Sequence, residues 1–486
     1  MGRLDAEGFA PRVGIRRVPG RHRRRRGSLV PALLAIALLC CLFGSVAPAS
    51  AAPPDSSPQV LWAMLAVQQA QLVATDGSVG DYFGHSVALY GDTALVGAYA
   101  HATVGATEAG AAYVFVRSGA TWTWQRTLTA DDGAASDWFG WSVALSGDTA
   151  LVSAPWHATA GGTAAGAAYV FVRSGITWTQ QQEVIADDGA ALDHFGNSAA
   201  LSGETALVGA PLHDKVGGAD AGAAYAFVRS GTTWSQQQKL SATDGAADDQ
   251  FGNSVALSGE TALAGAPNHA VAGKAGAGAA YVFVRSGTAW TKQKMLSAAD
   301  ANGDDVFGTS VALDGDTALV GAPSHDIAGK DSAGASYVFA RSGTTWSQQA
   351  EPIAADNAAY DGFGGSVALA GSTALVGAQW DHTAAGDFAG SAYAFLLTPQ
   401  PKPHITKLAP ASGKRGVTVT ITGTGFGTKH GTSFVKFGAG KCTKYVSWSA
   451  TSIRCKVPAK AKLGTLKVEV TTSGGTSNAK SFKVKP

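Results

Sequence analysis

The feature that most constrains this chain is a repeat of 56 residues. Phe-Gly pairs recur at that spacing, without any insertion, at Phe83, Phe139, Phe195, Phe251, Phe307 and Phe363. A spacing held so strictly indicates one supersecondary unit copied six times, and a period in the fifties favours a propeller or an array over a helical solenoid. The repeat therefore decides the fold class before any other feature is considered.

Within one unit, apolar and polar residues alternate with the two-residue period of β-strands. Residues 254–257 and 261–266 flank the tight turn Gly259-Glu260 and predict a hairpin. Residues 279–285, with Tyr and Phe alternating against Val, and residues 290–296 predict a third and a fourth strand. Each repeat is therefore expected to form one four-stranded antiparallel sheet.

Such sheets are apolar on both faces, so they bury those faces against neighbouring copies, as the blades of a propeller do. A Trp at one fixed place in five units is interpreted as part of this core and not as a ligand site: Trp122, Trp178, Trp234, Trp290 and Trp346. The sixth unit stops after residues 391–397, without a fourth strand, whereas residues 68–77 match the fourth-strand segment 236–245. We therefore predict an all-β, six-bladed β-propeller of four-stranded blades, closed by an N-terminal strand that completes the last blade.

Short sequence motifs that recur in each unit indicate a family resemblance over residues 68–397. Phe-Gly is followed by SVALSG, then by Gly-Ala-Pro at 209–211, 265–267 and 321–323, and then by AAYVF, although the triplet is degenerate at 97–99, 153–155 and 377–379. This pattern resembles the FG-GAP repeat of integrin alpha-chain propellers and their bacterial relatives. Calcium-binding repeats of that family carry a DxDxDG loop, which is here cut to two residues such as Gly147-Asp148. One carboxylate cannot supply six to eight oxygens, so we expect no metal site of that kind.

The first 51 residues are predicted to be a signal peptide. Nine Arg, including those at 23–26, precede an apolar run at 29–46 and a small-residue site at 49–51. A single-spanning anchor is the alternative, but Pro31 and Gly44 interrupt the run. Residues 52–67 form a short lead-in, and no later stretch reaches 18 apolar residues, so we expect a secreted or cell-surface protein with no membrane span in the mature chain.

A Pro-rich linker at 398–403 ends the repeats, and residues 404–486 predict a small β-sandwich. The segments PASG at 410–413, VTVTITG at 417–423, VKFG at 435–438 and GGTSN at 474–478 resemble the immunoglobulin-like IPT/TIG domain. Cys442 and Cys455 lie in this domain, on strands expected to be adjacent. In an exported protein the pair predicts a disulfide; free thiols are the alternative, and a metal site would need ligands beyond His430.

Charge is divided between the two domains. Residues 52–401 contain 12 Lys or Arg and 32 Asp or Glu, whereas residues 402–486 contain 16 basic residues and one acid, Glu469. The basic domain could attract an anionic surface polymer, could dock on its own propeller, or could simply carry a solvated Lys face. Because the chain is predicted to be exported, we expect no nucleic-acid partner.

Acidic pairs precede each Phe-Gly with the spacing D-G-x-x-x-D. We interpret them as residues that bond the turn backbone, with weak cation binding as the alternative. The pairs and triplets are Asp76 with Asp81, Asp131 and Asp132 with Asp137, Asp187 and Asp188 with Asp193, Asp244 with Asp248 and Asp249, Asp300 with Asp304 and Asp305, and Asp356 with Asp361.

Histidines follow the Gly-Ala-Pro position at one fixed offset in five units, and one residue later in the sixth, where Asp381 stands in the matching place. Equivalent positions in a ring lie on one face, so these residues form a candidate binding ring for a metal, an anion or a pH-dependent partner. The alternative is that each His bonds a carbonyl of its own loop. The candidates are His101, His157, His213, His269, His325 and His382.

The sequence contains no GxSxG, HExxH or Walker segment, and the blades are nearly equivalent. We therefore expect no enzyme and no cofactor, but a monomeric, exported adhesion or ligand-binding protein whose partner is an extracellular protein or a carbohydrate. The alternatives are a propeller hydrolase or lyase acting on polysaccharide and a purely structural surface module.

Overall fold

The computed structural model describes residues 70–215, 218–383, 386–398, 401–427, 433–472 and 475–486. Every regular element in these ranges is a β-strand, and none of them holds a helix that could cross a membrane. The predicted signal peptide, the lead-in, residues 399–400 of the linker and His430 lie outside the described residues.

The first five repeats form the predicted four-stranded sheets, with each strand paired antiparallel to the next in the chain. The Gly of every hairpin turn, such as Gly259, adopts a positive φ, which a residue without Cβ reaches at no steric cost. The strands are, in blade one, β1 Val87–Tyr90, β2 Thr93–Ala98, β3 Ala111–Ser118 and β4 Thr121–Leu128; in blade two, β5 Val143–Ser146, β6 Thr149–Ala154, β7 Ala167–Ser174 and β8 Thr177–Val184; in blade three, β9 Ser198–Ser202, β10 Thr205–Ala210, β11 Ala223–Ser230 and β12 Thr233–Leu240; in blade four, β13 Val255–Ser258, β14 Thr261–Ala266, β15 Ala279–Ser286 and β16 Ala289–Leu296; in blade five, β17 Ser310–Asp314, β18 Thr317–Ala322, β19 Ala335–Ser342 and β20 Thr345–Ala350.

The Phe-Gly pair joins one blade to the next. Phe251 is fully buried, and its ring centroid lies 5.5 Å from that of Tyr281 and 6.0 Å from that of Phe283. It pairs as a parallel bridge with Gly222 of the preceding blade. Gly252 has φ 89°, and a Cβ there would lie 2.2 Å from the main-chain oxygen of Ala223. Only glycine fits this close approach, which explains why the dipeptide recurs.

The repeated Trp belongs to the interface between blades, as predicted. Trp178, Trp234, Trp290 and Trp346 are buried, and the indole of each donates to a Gln on the fourth strand of the preceding blade. Trp122 of blade one is only half-buried. By the same offset its Gln partner would be Gln69, which lies outside the described residues.

The sixth blade has three strands in the described part of the chain, β21 Phe363–Ala370, β22 Thr373–Ala378 and β23 Ser391–Leu396. Residues 70–74, the described end of the predicted closing strand, pair with no strand. Leu72 and Ala74 instead pack on blade one as Leu128 and Ala130 pack on blade two. The end of the segment thus follows the repeat, while the predicted closure rests on residues outside the described range.

Exposure shows which blade faces are covered. The second-strand Leu of blades one to five is fully buried, whereas the equivalent Leu375 of blade six is 47% exposed. On blade one, Val87 is 70% exposed, while its counterpart Val143 is 7% exposed. The described residues therefore form five interfaces between neighbouring blades and leave one apolar face open on each of the two terminal blades.

The C-terminal domain is the predicted immunoglobulin-like sandwich. One sheet has the order β24-β26-β30-β29 and the other the order β25-β33-β31-β27-β28, with β32 paired to β31. Ile405, Ile421, Val435, Val468 and Phe482 of the core between them are fully buried. The strands are β24 His404–Ala409, β25 Ser412–Gly413, β26 Thr418–Thr424, β27 Phe434–Phe437, β28 Gly440–Lys441, β29 Tyr445–Trp448, β30 Ser452–Lys456, β31 Gly464–Thr472, β32 Gly475–Thr476 and β33 Lys480–Val484.

Cys442 and Cys455, which the sequence predicts as a disulfide, are both buried free thiols in the structure. The thiol of Cys442 donates to the main-chain oxygen of Lys456 at 3.0 Å. The hydrogen bond to Cys442, followed by burial, raises the pKa of Cys455, so this thiol keeps its proton. Each sulfur therefore has a hydrogen-bond partner without a covalent link, and the disulfide stays a prediction for the oxidised chain.

Candidate functional site

The repeated histidines and the acidic turns meet in space, although the sequence separates them by 20 residues. In each of the first five blades, His Nδ1 lies 2.7–2.9 Å from an oxygen of the buried Asp that ends the D-G-x-x-x-D motif. Because a carboxylate only accepts, Nδ1 carries the proton and the lone pair of the neutral ring stands on Nε2. The pairs are His101 with Asp81, His157 with Asp137, His213 with Asp193, His269 with Asp249 and His325 with Asp305.

The same buried Asp also holds the turn. In blade two, Oδ2 of Asp137 accepts the N–H of Ala134 at 2.7 Å, and every other blade has the equivalent bond. The predicted bonding of these Asp residues to the turn backbone is thus confirmed. The suggestion that each His bonds a carbonyl is wrong for the five aligned His residues, since the Nδ1 partner is this carboxylate.

The first Asp of each motif approaches the other imidazole nitrogen. Nε2 of His157 lies 3.8 Å from Oδ2 of Asp132, and Nε2 of His213 lies 3.8 Å from Oδ2 of Asp188. In blade one the corresponding distance, from His101 to Asp76, is 4.0 Å. His101, His157 and His213 are therefore each placed between a buried carboxylate on one side and an exposed carboxylate on the other.

A residue near the end of the fourth strand faces Nε2 of the histidine, and its type differs between the blades. Glu183 approaches His157 Nε2 at 3.7 Å in blade two, and Glu351 stands with His325 and Asp300 in blade five. In blade three the same position is Lys239, whose Nζ lies 2.6 Å from Asp188 and 3.3 Å from His213 Nε2. The position carries Thr127, Glu183, Lys239, Met295 and Glu351 in blades one to five.

One carboxyl group in blade two has a raised pKa, and one in blade three has a lowered pKa. Burial, followed by the charge of Asp132, raises the pKa of Glu183. Burial would also raise the pKa of Asp188, but hydrogen bonds from Lys239 and Tyr225 hold it below its ordinary value. Negative charge therefore accumulates at this place in blade two. At the equivalent place in blade three, the ammonium group of Lys239 neutralises it.

The sixth blade lacks this arrangement. Asp381 occupies the place of the His and accepts a hydrogen bond from the hydroxyl of Tyr393 at 2.9 Å. The ring of His382 instead lies 4.6 Å from that of Phe388. The proposed ring of six histidines is thus five equivalent residues and one that differs, and their role in binding stays a prediction.

A second candidate site breaks the equivalence of the blades. Trp138 stacks on Trp141 with ring centroids 5.3 Å apart and lies 5.0 Å from Trp156 and 5.2 Å from Tyr99. Tyr82 stacks on Tyr99 at 5.0 Å. The whole group, named here the aromatic cluster, comprises Tyr82, His85, Tyr99, Trp138, Trp141, Trp156 and His194, from blades one to three.

The aromatic cluster is open to solvent at both ends, since Tyr82 is 61% and Trp156 39% exposed. Trp138 Nε1 and His194 Nε2 are buried without a hydrogen-bond partner among the described residues. Burial lowers the pKa of His194, so its ring is neutral. Unpaired buried nitrogens cost free energy, which indicates that these rings were not gathered for stability alone.

The backbone that carries the aromatic cluster is common to all blades. The residue before each Phe has a positive φ, 54° at Tyr82, 60° at Trp138 and 54° at His194, and 55° at Gln250 of blade four. Non-glycine residues rarely adopt this region, so each of the first five blades projects one side chain from the same strained point, where blade six has Gly362. Sequence reasoning missed the aromatic cluster because it treated the blades as equivalent; the aromatic residues on either side of the first two Phe-Gly pairs were the available signal.

Comparisons with known proteins agree with the architecture. The FG-GAP repeat family matches residues 66–115, 122–171, 178–227, 234–283, 290–339 and 346–395, and the IPT/TIG domain matches residues 403–484. A cyclomaltodextrin glucanotransferase of Paenibacillus macerans is 42% identical over 84 residues, which are 17% of this chain and 11% of that protein. The chain thus spans about a tenth of the length of this curated relative.

Two solved structures are also similar to parts of the chain. A gamma-cyclodextrin glucanotransferase of an alkalophilic Bacillus clarkii is 31% identical, covering 20% of this chain and 14% of that one, with a TM-score of 0.16. A fungal alcohol oxidase of the AA5 family, solved with copper, is 13% identical, covering 82% of this chain and 85% of that one, with a TM-score of 0.37.

Proposed function

Because the chain belongs to the FG-GAP repeat family and carries a solvent-open group of stacked rings, we propose that it is an exported, non-catalytic glycan-binding protein. The observation that carries this proposal is the aromatic cluster. Flat rings offer apolar faces to the C–H faces of pyranose sugars, and Trp and Tyr supply large contact areas at low entropic cost. The ligand is an oligosaccharide or polysaccharide chain that passes from Tyr82 to Trp156.

The relatives narrow the class of ligand. The name of the matched Paenibacillus macerans protein describes an enzyme that transfers glucan and forms cyclomaltodextrin. The match covers a small part of that enzyme, so an accessory role toward the same kind of polymer fits better than its catalysis. We therefore place α-glucans first among the candidate ligands.

The C-terminal domain supplies an accessory contact in this proposal. Its described basic residues, Lys436 excepted, are solvent-exposed, and Glu469 is its only acid. Such a surface attracts anionic polymers through a field that salt screens over about 8 Å at physiological ionic strength. We propose that the domain holds the protein on an anionic extracellular polymer while the propeller stays free for glycan. Binding of the chain to a teichoic-acid-type polymer should then weaken steeply with added salt, and a salt-independent affinity would contradict this role.

The test is titration calorimetry of the purified chain with a linear maltodextrin and a cyclomaltodextrin, beside β-linked glucans. Trp156→Asn places the residue of blade four, Asn268, at the equivalent position. Loss of a Trp that contacts the ligand costs about 2 kcal/mol, so affinity should fall about 30-fold. Trp380→Asn is the matched control, because Trp380 is the exposed Trp at the same repeat position of blade six and is not part of the aromatic cluster.

Unchanged binding in Trp156→Asn, or an equal loss in Trp380→Asn, would contradict the assignment of the site. Binding to none of the glycans would contradict the proposed function itself. Turnover of maltodextrin by the purified chain would show that the protein is an enzyme after all.

A further inference from the structure

Three ligand atoms of different chemistry converge in blade two and again in blade five. Nε2 of His157 lies 3.8 Å from a carboxylate oxygen of Asp132 and 3.7 Å from one of Glu183. Asp300, His325 and Glu351 repeat the arrangement, with all three atoms within 4.8 Å of one another. Two ligands of a tetrahedral ion bound at about 2.0–2.1 Å stand about 3.3 Å apart, so the two distances from His157 exceed a coordinating geometry by a few tenths of an ångström, and the atoms of blade five would close from separations of at most 4.8 Å.

The histidines are already oriented for coordination. Nδ1 of His157 donates to the buried Asp137 at 2.8 Å, and Nδ1 of His325 donates to the buried Asp305 at 2.9 Å. A carboxylate that accepts a hydrogen bond from Nδ1–H fixes the tautomer, aims the Nε2 lone pair and raises its basicity, as outer partners of metal-bound histidines do. In blade two that lone pair faces two carboxylates, and in blade five the same three residue types converge, an arrangement that a cation between them would stabilise.

Independent support comes from two buried hydroxyls. Tyr169 and Tyr337, like Tyr281 of blade four, are fully buried, and their hydroxyls have no hydrogen-bond partner among the described residues. The equivalent Tyr225 of blade three donates to Asp188 at 2.9 Å, which shows that this hydroxyl points at the site. A water on a bound ion would give Tyr169 and Tyr337 the partner that they lack.

Blade three shows that the space accepts a positive charge. The ammonium group of Lys239 lies 2.6 Å from Asp188 and 3.3 Å from Nε2 of His213, between the atoms equivalent to those that converge in blade two. Lys239 stands where blades two and five have Glu183 and Glu351. The chain thus fills one of its equivalent sites with its own cation and leaves two with a surplus of negative charge.

From these contacts we propose that blades two and five each bind one divalent transition-metal ion, through His157, Asp132 and Glu183 and through His325, Asp300 and Glu351. An imidazole nitrogen with two carboxylates suits Zn²⁺, whereas Ca²⁺ and Mg²⁺ take oxygen ligands almost exclusively. The exposed side of each site, at Asp132 and Asp300, leaves room for water as the remaining ligand. The ions cross-link the loop before Phe-Gly to the fourth strand of the same blade.

The experiment measures Zn²⁺ stoichiometry by equilibrium dialysis of the purified, chelator-stripped chain. The parent should bind two ions. Glu183→Lys and Glu351→Lys, which copy the residue of blade three, should each bind one, and the double variant none. Lys239→Glu should create a third site, giving three ions. Because blade three already folds with Lys at this position, circular dichroism should show every variant folded.

Two results would overturn the proposal: a stoichiometry that does not change in Glu183→Lys and Glu351→Lys, or no gain of an ion in Lys239→Glu. X-ray absorption at the zinc edge provides a second readout. We expect nitrogen and oxygen neighbours with imidazole scattering, whereas sulfur neighbours would place the ions at Cys442 and Cys455 and contradict the assignment to the blades.

Discussion

Blade two and blade three are copies of one 56-residue unit, yet they agree and differ in separate regions. On the faces between blades they agree: Leu151 and Leu207, like Tyr169 and Tyr225, are fully buried at equivalent places. At the rim, where the loops before Phe-Gly and the ends of the fourth strands meet, Glu183 is replaced by Lys239.

The aromatic residues follow the same division. Trp138 and Trp141 flank Phe-Gly in blade two, whereas His194 and Asn197 do so in blade three. The backbone does not change, because φ is positive before the Phe in both blades. Positions shared by the blades therefore carry the fold, and positions that differ are free to carry binding.

The largest effect is expected between blades. Leu207→Ala removes a fully buried side chain that packs on Phe251 and Val255 of the next blade, and should lower the free energy of unfolding by about 2–5 kcal/mol. Leu375→Ala makes the same change at the exposed equivalent in blade six and should cost less than about 1 kcal/mol. Denaturant melts of both variants measure the difference. Equal losses would contradict the exposure of Leu375 and show that this face of blade six is covered in solution.

A smaller loss is expected from the buried carboxylate of the rim. Asp249 accepts hydrogen bonds from the main-chain N–H of Ala246 and from His269, both at 2.7 Å. Asp249→Ala leaves these donors unpaired and should cost about 1–3 kcal/mol, because a buried donor without a partner pays its desolvation. Asp187→Ala, an exposed acid of the equivalent turn, is the control and should stay within about 0.5 kcal/mol. If Asp187→Ala lowered the free energy of unfolding as much as Asp249→Ala does, the loss would come from the change in net charge and not from the hydrogen bonds.

A smaller effect still is expected on the outer edge of the blades. The guanidinium of Arg341 lies 5.3 Å from the ring centroid of Trp346 and pairs with the exposed Asp316. Arg341→Ala should cost about 1 kcal/mol, since the guanidinium packs on the buried Trp346 whereas its ion pair with the exposed Asp316 contributes little. Thermal melts at low and high salt measure the change. A loss above about 2 kcal/mol would show that the contact of Arg341 with Trp346 contributes more to the fold than a single cation–π pair.

No effect is expected from calcium. The hairpin turns hold two residues, such as Gly147 and Asp148, with one carboxylate between them. Because these turns lack an oxygen-rich loop, we expect no calcium site of the integrin kind to stabilise the folded state by mass action. A calcium-selective chelator should leave the melting temperature unchanged, and a shift of several degrees would show that the acidic turns hold this ion.

The fold could be predicted further than the site could. The six blades, their strands and the buried Trp follow from a strict period and a two-residue alternation, which local patterning reveals. His157 and Asp137 could not be paired from sequence, because they are 20 residues apart and only the fold of the blade closes that separation. Glu183 lies a further 26 residues along the chain, on a strand whose alternation conceals which polar residue faces the rim.

The central claim is that positions shared by the blades carry the fold and that differing positions carry binding. Its most direct test replaces differing residues of one blade by those of another. Trp138→Gln, Trp141→Asn and Trp156→Asn together give blade two the residues of blade four at these positions. The triple variant should still fold. Maltodextrin titration should show that its affinity has fallen at least about 100-fold, because three aromatic contacts are lost at once. A folded variant that binds with the affinity of the parent would contradict the account.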